Sequence, residues 1–161
     1  MVVIRTILHP TDFSTEAGSA FEVACLLARQ RRSRLVVLHV ERAPLTTLGG
    51  TPIVPPLLPE YDREHLWQQL RRIQPSLPDV TVEHRLERGE PAVVILAVAQ
   101  ETGADLIVMG THGRTGLRRF LMGSVAEQVV RKASCPVLTI RTPPATELAP
   151  FPAAAGSTAL S

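Results

Sequence analysis

The fold is decided by residues 106–124, which read Leu106-Ile-Val-Met-Gly-Thr-His-Gly-Arg-Thr-Gly-Leu-Arg-Arg-Phe-Leu-Met-Gly-Ser124. The stretch opens with a short apolar run typical of a buried strand, and Ser124 begins a segment with helical periodicity. Between the two lies a loop punctuated by glycines, which accept positive φ and let a ligand approach the main chain closely. A strand, a glycine loop and a helix in this order predict one βα unit of a parallel α/β sheet.

Strand-like and helix-like patterns alternate along the rest of the chain. Strands are predicted at Val2 to His9, Arg34 to Val40, Val80 to Leu86, Leu106 to Met109 and Pro136 to Ile140. Helices are predicted at Ser14 to Arg31, Tyr61 to Ile73, Glu90 to about Gly103, and Ser124 to Ala133. This order predicts a parallel sheet with helices on both faces. A doubly wound sheet binds its ligands beyond the carboxyl ends of the strands, where the winding reverses.

The sequence also predicts how the first strand ends and which face of the third helix is buried. The run Pro10-Thr11-Asp12 is expected to close the first strand. In the third helix, the inward face is expected to carry Val94, Ala97 and Val98.

Two segments lie outside the alternating pattern. The connection from Glu41 to Pro59 is rich in Pro and Gly, and it is either an irregular crossover, a lid over a ligand or a partner surface. From Thr142 onward Pro, Ala, Ser and Thr dominate without periodicity. We therefore expect one domain over residues 1–141, followed by a disordered tail at residues 142–161.

The composition excludes several classes of protein. The 161 residues are 45% hydrophobic and 20% charged, with a net charge of +2; this charge is too small to indicate a nucleic-acid or membrane-surface partner. The chain has no apolar run approaching the roughly 18 residues of a membrane span and no signal-peptide pattern at its start. The two cysteines form no Cys-x-x-Cys pair. We expect a cytoplasmic protein in a reducing compartment.

The glycine loop is the segment suited to chemistry. Successive amides of such a loop form a concave nest for an anion, and Ser124-Val-Ala-Glu127 matches a capping box at the start of the next helix. The free amides of a first helical turn favour a phosphate. The spacings of the P-loop and of the Gly-x-Gly-x-x-Gly dinucleotide motif are both absent. The remaining alternative is a long glycine loop before a well-capped helix, with no ligand.

A few polar residues have a functional and a structural interpretation. Asp12 either contacts a ligand or forms a turn before the first helix. His9 and His39 would end neighbouring strands, which suggests a metal site, although satisfied buried histidines explain the pattern better. His112 either approaches a phosphate, serves as a general base or is an exposed loop residue. Arg114 would add positive charge for a triphosphate.

The spacing Gly110-x2-Gly113-x9-Gly123-Ser124 resembles the nucleotide-binding motif of the universal stress protein family. Similar to that family are also the opening Ile7-Leu-His-Pro-Thr-Asp12, the stretch Asp105-Leu-Ile-Val-Met-Gly-Thr-His-Gly113 and the ending Val129-Val-Arg-Lys-Ala-Ser-Cys-Pro-Val-Leu138. The resemblance covers residues 2–141. It implies a flavodoxin-like three-layer sandwich whose five-stranded sheet has the order 3-2-1-4-5.

The same resemblance implies an ATP site in the crevice between the first and fourth strands. Together with the loop chemistry, it predicts the nucleotide-binding residues Pro10, Thr11, Asp12, Val40, Met109, Gly110, His112, Gly113, Arg114, Gly123, Ser124 and Val125. The phosphates would hold Mg²⁺ or Mn²⁺. No catalytic residue and no protein metal ligand is predicted.

The expected function is that of an ATP-binding stress-response regulator whose nucleotide state alters its contacts with an unidentified protein partner. A homodimer is expected through the edge strand 136–140, because an apolar sheet edge tends to pair with another strand. The alternatives are an ATPase or nucleotidyl-transferring enzyme on the same fold, a binder of another adenine nucleotide such as cyclic AMP, and a structural dimer with an empty crevice.

Overall fold

The computed structural model describes residues 3–42, 46–48, 51–53, 60–111 and 122–141. The strands are β1 (Thr6–Thr11), β2 (Arg34–Glu41), β3 (Thr46–Leu48), β4 (Thr51–Ile53), β5 (Val82–Arg88), β6 (Leu106–Gly110) and β7 (Val137–Ile140). The helices are α1 (Thr15–Arg31), α2 (Glu60–Arg71), α3 (Pro91–Glu101) and α4 (Ser124–Lys132). The tail predicted at residues 142–161 lies outside these ranges.

Five parallel strands form the central sheet in the order β5-β2-β1-β6-β7. Counted along the chain among the strands of this sheet, the order is 3-2-1-4-5, which confirms the predicted flavodoxin-like topology. The short strands β3 and β4 form a separate antiparallel pair; they fall in the Pro- and Gly-rich connection and were not predicted. Among the described helices, none is long and apolar enough to cross a bilayer.

Two apolar layers hold the helices against the sheet. On one face, residues such as Ile7, Leu35 and Val108 pack with Phe21 and Ala24 of α1. The opposite face joins strand, α3 and α4 residues, among them Leu8, Val36, Ile107, Val98 and Val129. Alternate residues of each central strand enter opposite layers, which is why these strands are apolar throughout.

The winding reverses between β1 and β6, which are neighbours in the sheet. The chain leaves β1 toward α1, on one face, and leaves β6 toward α4, on the other. The two connections therefore diverge at the shared carboxyl edge and leave a crevice between them, as doubly wound sheets do at a switch point.

The prediction that Pro10 begins the closure of β1 is wrong, because the strand continues through Pro10 to Thr11. Arg34 N donates to Arg5 O, and Asp105 N donates to Thr6 O. Odd-numbered residues of β1 therefore face β2, and even-numbered ones face β6. Since Pro10 faces β6, its missing N–H leaves the pairing with β2 intact up to Thr11.

Other boundaries and one helix face also differ from the prediction: β1 begins at Thr6 rather than at Val2, and α2 ends at Arg71 rather than at Ile73. Strand β5 begins and ends further along the chain than Val80 to Leu86. In α3 the buried residues are Ala92, Ile95, Val98 and Ala99, whereas Ala97 is exposed. Every residue of 92–99 is apolar, so the hydrophobic period could not fix which side of this helix faces the core.

The carboxylate of Asp105 ties the start of β6 to β1. Its Oδ2 accepts hydrogen bonds from Arg5 N at 2.8 Å and from Thr6 N at 3.0 Å. These two bonds favour the ionised carboxylate and so lower the pKa of Asp105 from its ordinary value of 3.8. The hydrogen bond from Arg5 N has the largest effect. Because the ionised form is favoured in the folded state, the stabilisation is complete above about pH 4 and is lost as the pH falls through the lowered pKa.

We predict that Asp105→Asn lowers the free energy of unfolding by about 1–2 kcal/mol at pH 7, since one charged acceptor of two amides is replaced by a neutral one. Urea titrations at pH 7 and at pH 3 would measure the loss, which should shrink at pH 3. Asp79→Asn, at an exposed turn residue, is the matched control and should change little at either pH. An equal loss of the free energy of unfolding at both pH values would contradict the conclusion that the ionised carboxylate of Asp105 provides the stabilisation.

Candidate functional site

At the end of β1, Asp12 forms a tight polar turn that starts α1. Its Oδ1 accepts hydrogen bonds from the backbone N and the hydroxyl of Ser14, and the Ser14 hydroxyl in turn accepts from Ala17 N at 3.2 Å as the N-cap of α1. Phe13 bridges them with a positive φ of 63°. Asp12 therefore forms the turn before α1, and its contact with a ligand stays a prediction. Its side chain is partly exposed and lies at the edge of the crevice.

At the end of β6, one hydrogen bond closes the base of the glycine loop. Gly123 N donates to Thr111 O at 2.7 Å, and Thr111 N donates to Ile140 O of β7 at 3.0 Å. The chain therefore leaves the sheet at Thr111 and returns beside the same residue. Thr111 was not predicted as a site residue. Its position directly after Gly110 at the loop's first end is the signal that could have identified it.

Three predicted site residues, His112, Gly113 and Arg114, lie outside the described part of the chain. Their expected contacts with ribose and phosphate remain predictions. The residues that flank the loop, Thr111 and Gly123, are described, and they place the start and the end of the loop beside each other.

The first turn of α4 has no side-chain cap. Gly123 is the N-cap, with extended backbone at φ −73° and ψ 156°. The capping box predicted from Ser124 and Glu127 is wrong, because Ser124 is the first helical residue and lies one position too late to cap. Gly123 has no side chain to offer, so within the part of the chain that the structure describes no side chain caps the amides of Ser124, Val125 and Ala126.

Gly110 is the point of closest approach between β6 and α1. A Cβ built on Gly110 would lie 3.3 Å from both the carbonyl carbon and the Cβ of Glu16. The absence of a side chain at Gly110 therefore lets the first turn of α1 pack against the end of β6. Gly110 at the end of β6 and the Asp12 turn after β1 therefore lie at the same edge of the sheet.

The remaining predicted residues line the apolar side of this edge. Met109 is buried, and Val40 and Val125 are partly buried against the layer below α3 and α4. Thr11 is 7% exposed, and its Oγ1 accepts from Phe13 N.

His9 and His39 are buried, and each directs one ring nitrogen at a backbone carbonyl. His9 Nδ1 lies 2.9 Å from Val108 O, and His39 Nδ1 lies 2.8 Å from Thr11 O. Within the part of the chain that the structure describes, no group of three His, Cys, Asp or Glu side chains could hold a metal ion. Burial lowers the pKa of His9 to about 4, so the ring is neutral at pH 7.

Neither cysteine is activated. Burial raises the pKa of the Cys25 thiol to about 11 and also raises that of Cys135. Both are free thiols, and a thiol is a weak nucleophile when its pKa is raised.

A second concavity lies between the start of α1 and the end of α2, and it shares Thr11 and Ser14 with the turn after β1. It encloses about 300 Å³, and its walls include Phe13, Gly18, Phe21, Arg72 and Gln74.

Comparison with known proteins gives one family. Residues 4–141 match the family model described as the universal stress protein family. The chain is 34% identical over 145 residues to a universal stress protein of Methanocaldococcus jannaschii, a match that covers 86% of this chain and 83% of that protein. In structure it is similar to the universal stress protein UspA from Lactobacillus plantarum, with a TM-score of 0.72 and 25% identity over 88% of this chain and 100% of the other.

Two further solved structures hold adenine nucleotides. One is a universal stress protein in complex with cAMP, with a TM-score of 0.63 and 20% identity over 87% of this chain and 98% of that one. The other is the universal stress protein from Archaeoglobus fulgidus in complex with dAMP, with a TM-score of 0.59 and 24% identity over 86% and 98%. At these identities the similarity shows a shared fold.

Proposed function

The chain belongs to the universal stress protein family, and from this premise we propose that it binds an adenine nucleotide, ATP foremost, in the crevice between β1 and β6. One observation carries the proposal: at the edge where the winding reverses, the first turn of α4 has no side-chain cap among the described residues. An anion there accepts hydrogen bonds from the amides and meets the positive end of the helix dipole.

The phosphates fit the side of the crevice that belongs to β6 and α4. The amides of Ser124, Val125 and Ala126 would donate to phosphate oxygens, and the glycine loop, predicted to contribute Gly113, His112 and Arg114, would complete the cradle. A divalent ion, Mg²⁺ or Mn²⁺, would be held by the phosphates themselves, since Mg²⁺ commonly binds through substrate phosphates and water.

The nucleoside fits the side that belongs to β1 and β2. The carboxylate of Asp12 is a suitable acceptor for a ribose hydroxyl. The partly buried Val40 at the end of β2 and the buried Met109 at the end of β6 offer apolar surface to an adenine ring. Apolar walls with a few placed polar groups are the usual composition of such sites.

We infer a regulatory function rather than efficient catalysis. In this account, the nucleotide changes how the protein contacts an unidentified partner in a stress response within the cytoplasm. Hydrolysis is at most slow in this account, because phosphoryl transfer depends on positioning and charge stabilisation, and the sequence near the loop offers no carboxylate pair and no P-loop lysine.

The second candidate ligand is cyclic AMP, because a neighbour in structure holds cAMP. A cyclic monophosphate presents one phosphate, whereas ATP reaches both the α4 amides and the glycine loop. Competition calorimetry against bound Mg-ATP would separate the two, and the proposal requires Mg-ATP to displace cAMP.

We predict that Ser124→Asp weakens binding of Mg-ATP by at least about tenfold. The new carboxylate would lie on the phosphate side of the exposed first turn, where repulsion between like charges outweighs any helix stabilisation. The same carboxylate favours the helix N-terminus, so the thermal midpoint of the free protein should stay level or rise. Isothermal titration and thermal unfolding measure the two effects.

The matched control is Gln128→Glu, which adds the same charge one turn further along α4. It should leave the dissociation constant within about threefold of wild type, because the charge lies beyond the first turn. Absence of heat for wild type at millimolar Mg-ATP would overturn the proposal, and so would unchanged affinity in Ser124→Asp.

We also propose that two copies of the chain pair through β7, which lies at the edge of the described sheet. Ile107 N donates to Pro136 O, and Thr111 N donates to Ile140 O. Even-numbered residues of this strand therefore face β6. The amides of Val137 and Thr139 point to the open edge, where a second strand can accept them.

We predict that Thr139→Pro converts the dimer to a monomer, since it removes an outward amide without touching the ladder to β6. Light scattering after size-exclusion chromatography would measure the mass, and circular dichroism would check the fold. Thr139→Ala keeps the amide and should remain dimeric. A Thr139→Pro protein that is folded and still dimeric would refute pairing through this edge.

A further inference from the structure

We propose that His9 is a positioning residue for the crevice: its imidazole supplies the hydrogen bond between β1 and β6 that Pro10 cannot make. The geometry of the ladder supports this directly. The effect of His9 on the nucleotide rests on the proposed function, whereas the hydrogen-bond substitution itself does not.

The register of β1 and β6 identifies the missing donor. Their pairing runs Ile7 with Leu106 and Leu8 with Ile107, and then ends. In a parallel ladder of this register, Leu8 N donates to Leu106 O and Val108 N donates to Leu8 O. The next donor, to Val108 O, would be the amide of residue 10. Proline has no such N–H.

The His9 ring fills this gap. Its Nδ1 lies 2.9 Å from Val108 O, the carbonyl that the ladder leaves without its main-chain donor. A carbonyl only accepts, so Nδ1 carries the proton. His9 and Val108 are both fully buried, and a buried carbonyl without a donor costs free energy. The imidazole therefore continues the connection between the strands by one more step.

The other ring nitrogen shows that His9 is not optimal for stability alone. Among the described residues, His9 Nε2 is buried and has no hydrogen-bond partner, and the ring packs against Phe21 with centroids 5.6 Å apart. An apolar side chain in this place would avoid the unsatisfied nitrogen. What His9 adds is a directional hydrogen bond to β6 at the position where β1 and β6 separate.

This tie lies directly beneath the candidate site. Past Val108, β6 continues to Met109 and Gly110, and past Pro10, β1 continues to Thr11 and Asp12. A second histidine ring acts two residues further along the strands, because His39 of β2 pairs with Thr11 and donates to Thr11 O at 2.8 Å. The end of β1 is thus bonded to β2 by the main-chain ladder and by His39, and to β6 by the His9 side chain beyond the last ladder bond.

The test is a double-mutant cycle on His9→Leu and Pro10→Ala. In the wild-type background, where Pro10 is present, His9→Leu removes the donor to Val108 O and should raise the dissociation constant of Mg-ATP about tenfold. In the Pro10→Ala background the restored amide can donate to Val108 O, so adding His9→Leu should change the constant by less than about threefold. Midpoints of urea unfolding for the same four proteins should show the same coupling.

His9→Asn is the conservative variant, because its side-chain amide places a donor close to the Nδ1 position. It should retain most of the affinity that His9→Leu loses. In the wild-type protein, nitrogen NMR of the imidazole should show the Nδ1–H tautomer, with a hydrogen-bond coupling from Nδ1 to the Val108 carbonyl carbon.

The outcomes separate the two proposals. If wild type binds no nucleotide, the proposed function fails, and the urea cycle with the NMR tautomer still decides the His9 proposal. The His9 proposal is overturned, and the proposed function stands, if nucleotide binds but His9→Leu raises the dissociation constant equally in both backgrounds. A neutral ring that carries its proton on Nε2 would overturn the His9 proposal in the same way.

Discussion

The parting of β1 and β6 is the constraint on which the rest of the structure depends. The two central strands pair only as far as Leu8 and Ile107, and the next rung would need an amide that Pro10 lacks. Beyond that rung their chains turn to opposite faces of the sheet. A crevice at the carboxyl edge follows from this divergence, because no main-chain ladder draws the two connections together.

Two local hydrogen-bond systems give the edge its shape. On the β1 side, Asp12 and Ser14 fold the chain sharply into α1. On the β6 side, the bond between Gly123 and Thr111 returns the chain to the sheet and starts α4 with an uncapped turn. One side therefore offers a carboxylate and the other offers amides, which are complementary to the sugar and the phosphates of one nucleotide.

The topology was predictable from the sequence, and the local chemistry was predictable in part. Apolar runs separated by helical periods predicted a parallel sheet with helices on both faces, and the glycine spacing predicted the loop. The order of the strands in the sheet came from the family resemblance. Whether Pro10 ends the strand depends on which neighbour residue 10 faces, and that register is not readable from one chain. Ser124 looked like a cap because Gly123, which has no side chain, gave no competing signal. The orientation of α3 was hidden by its uniformly apolar sequence.

The central claim is that α4 amides bind phosphate across the β1–β6 crevice, and amide NMR during titration with Mg-ATP tests it most directly. The account predicts that the amides of Ser124, Val125 and Ala126 shift downfield together with those of Thr11 and Asp12, with one dissociation constant. Shifts concentrated instead at Gly18, Arg72 and Gln74, in the groove between α1 and the end of α2, with α4 unmoved, would contradict it.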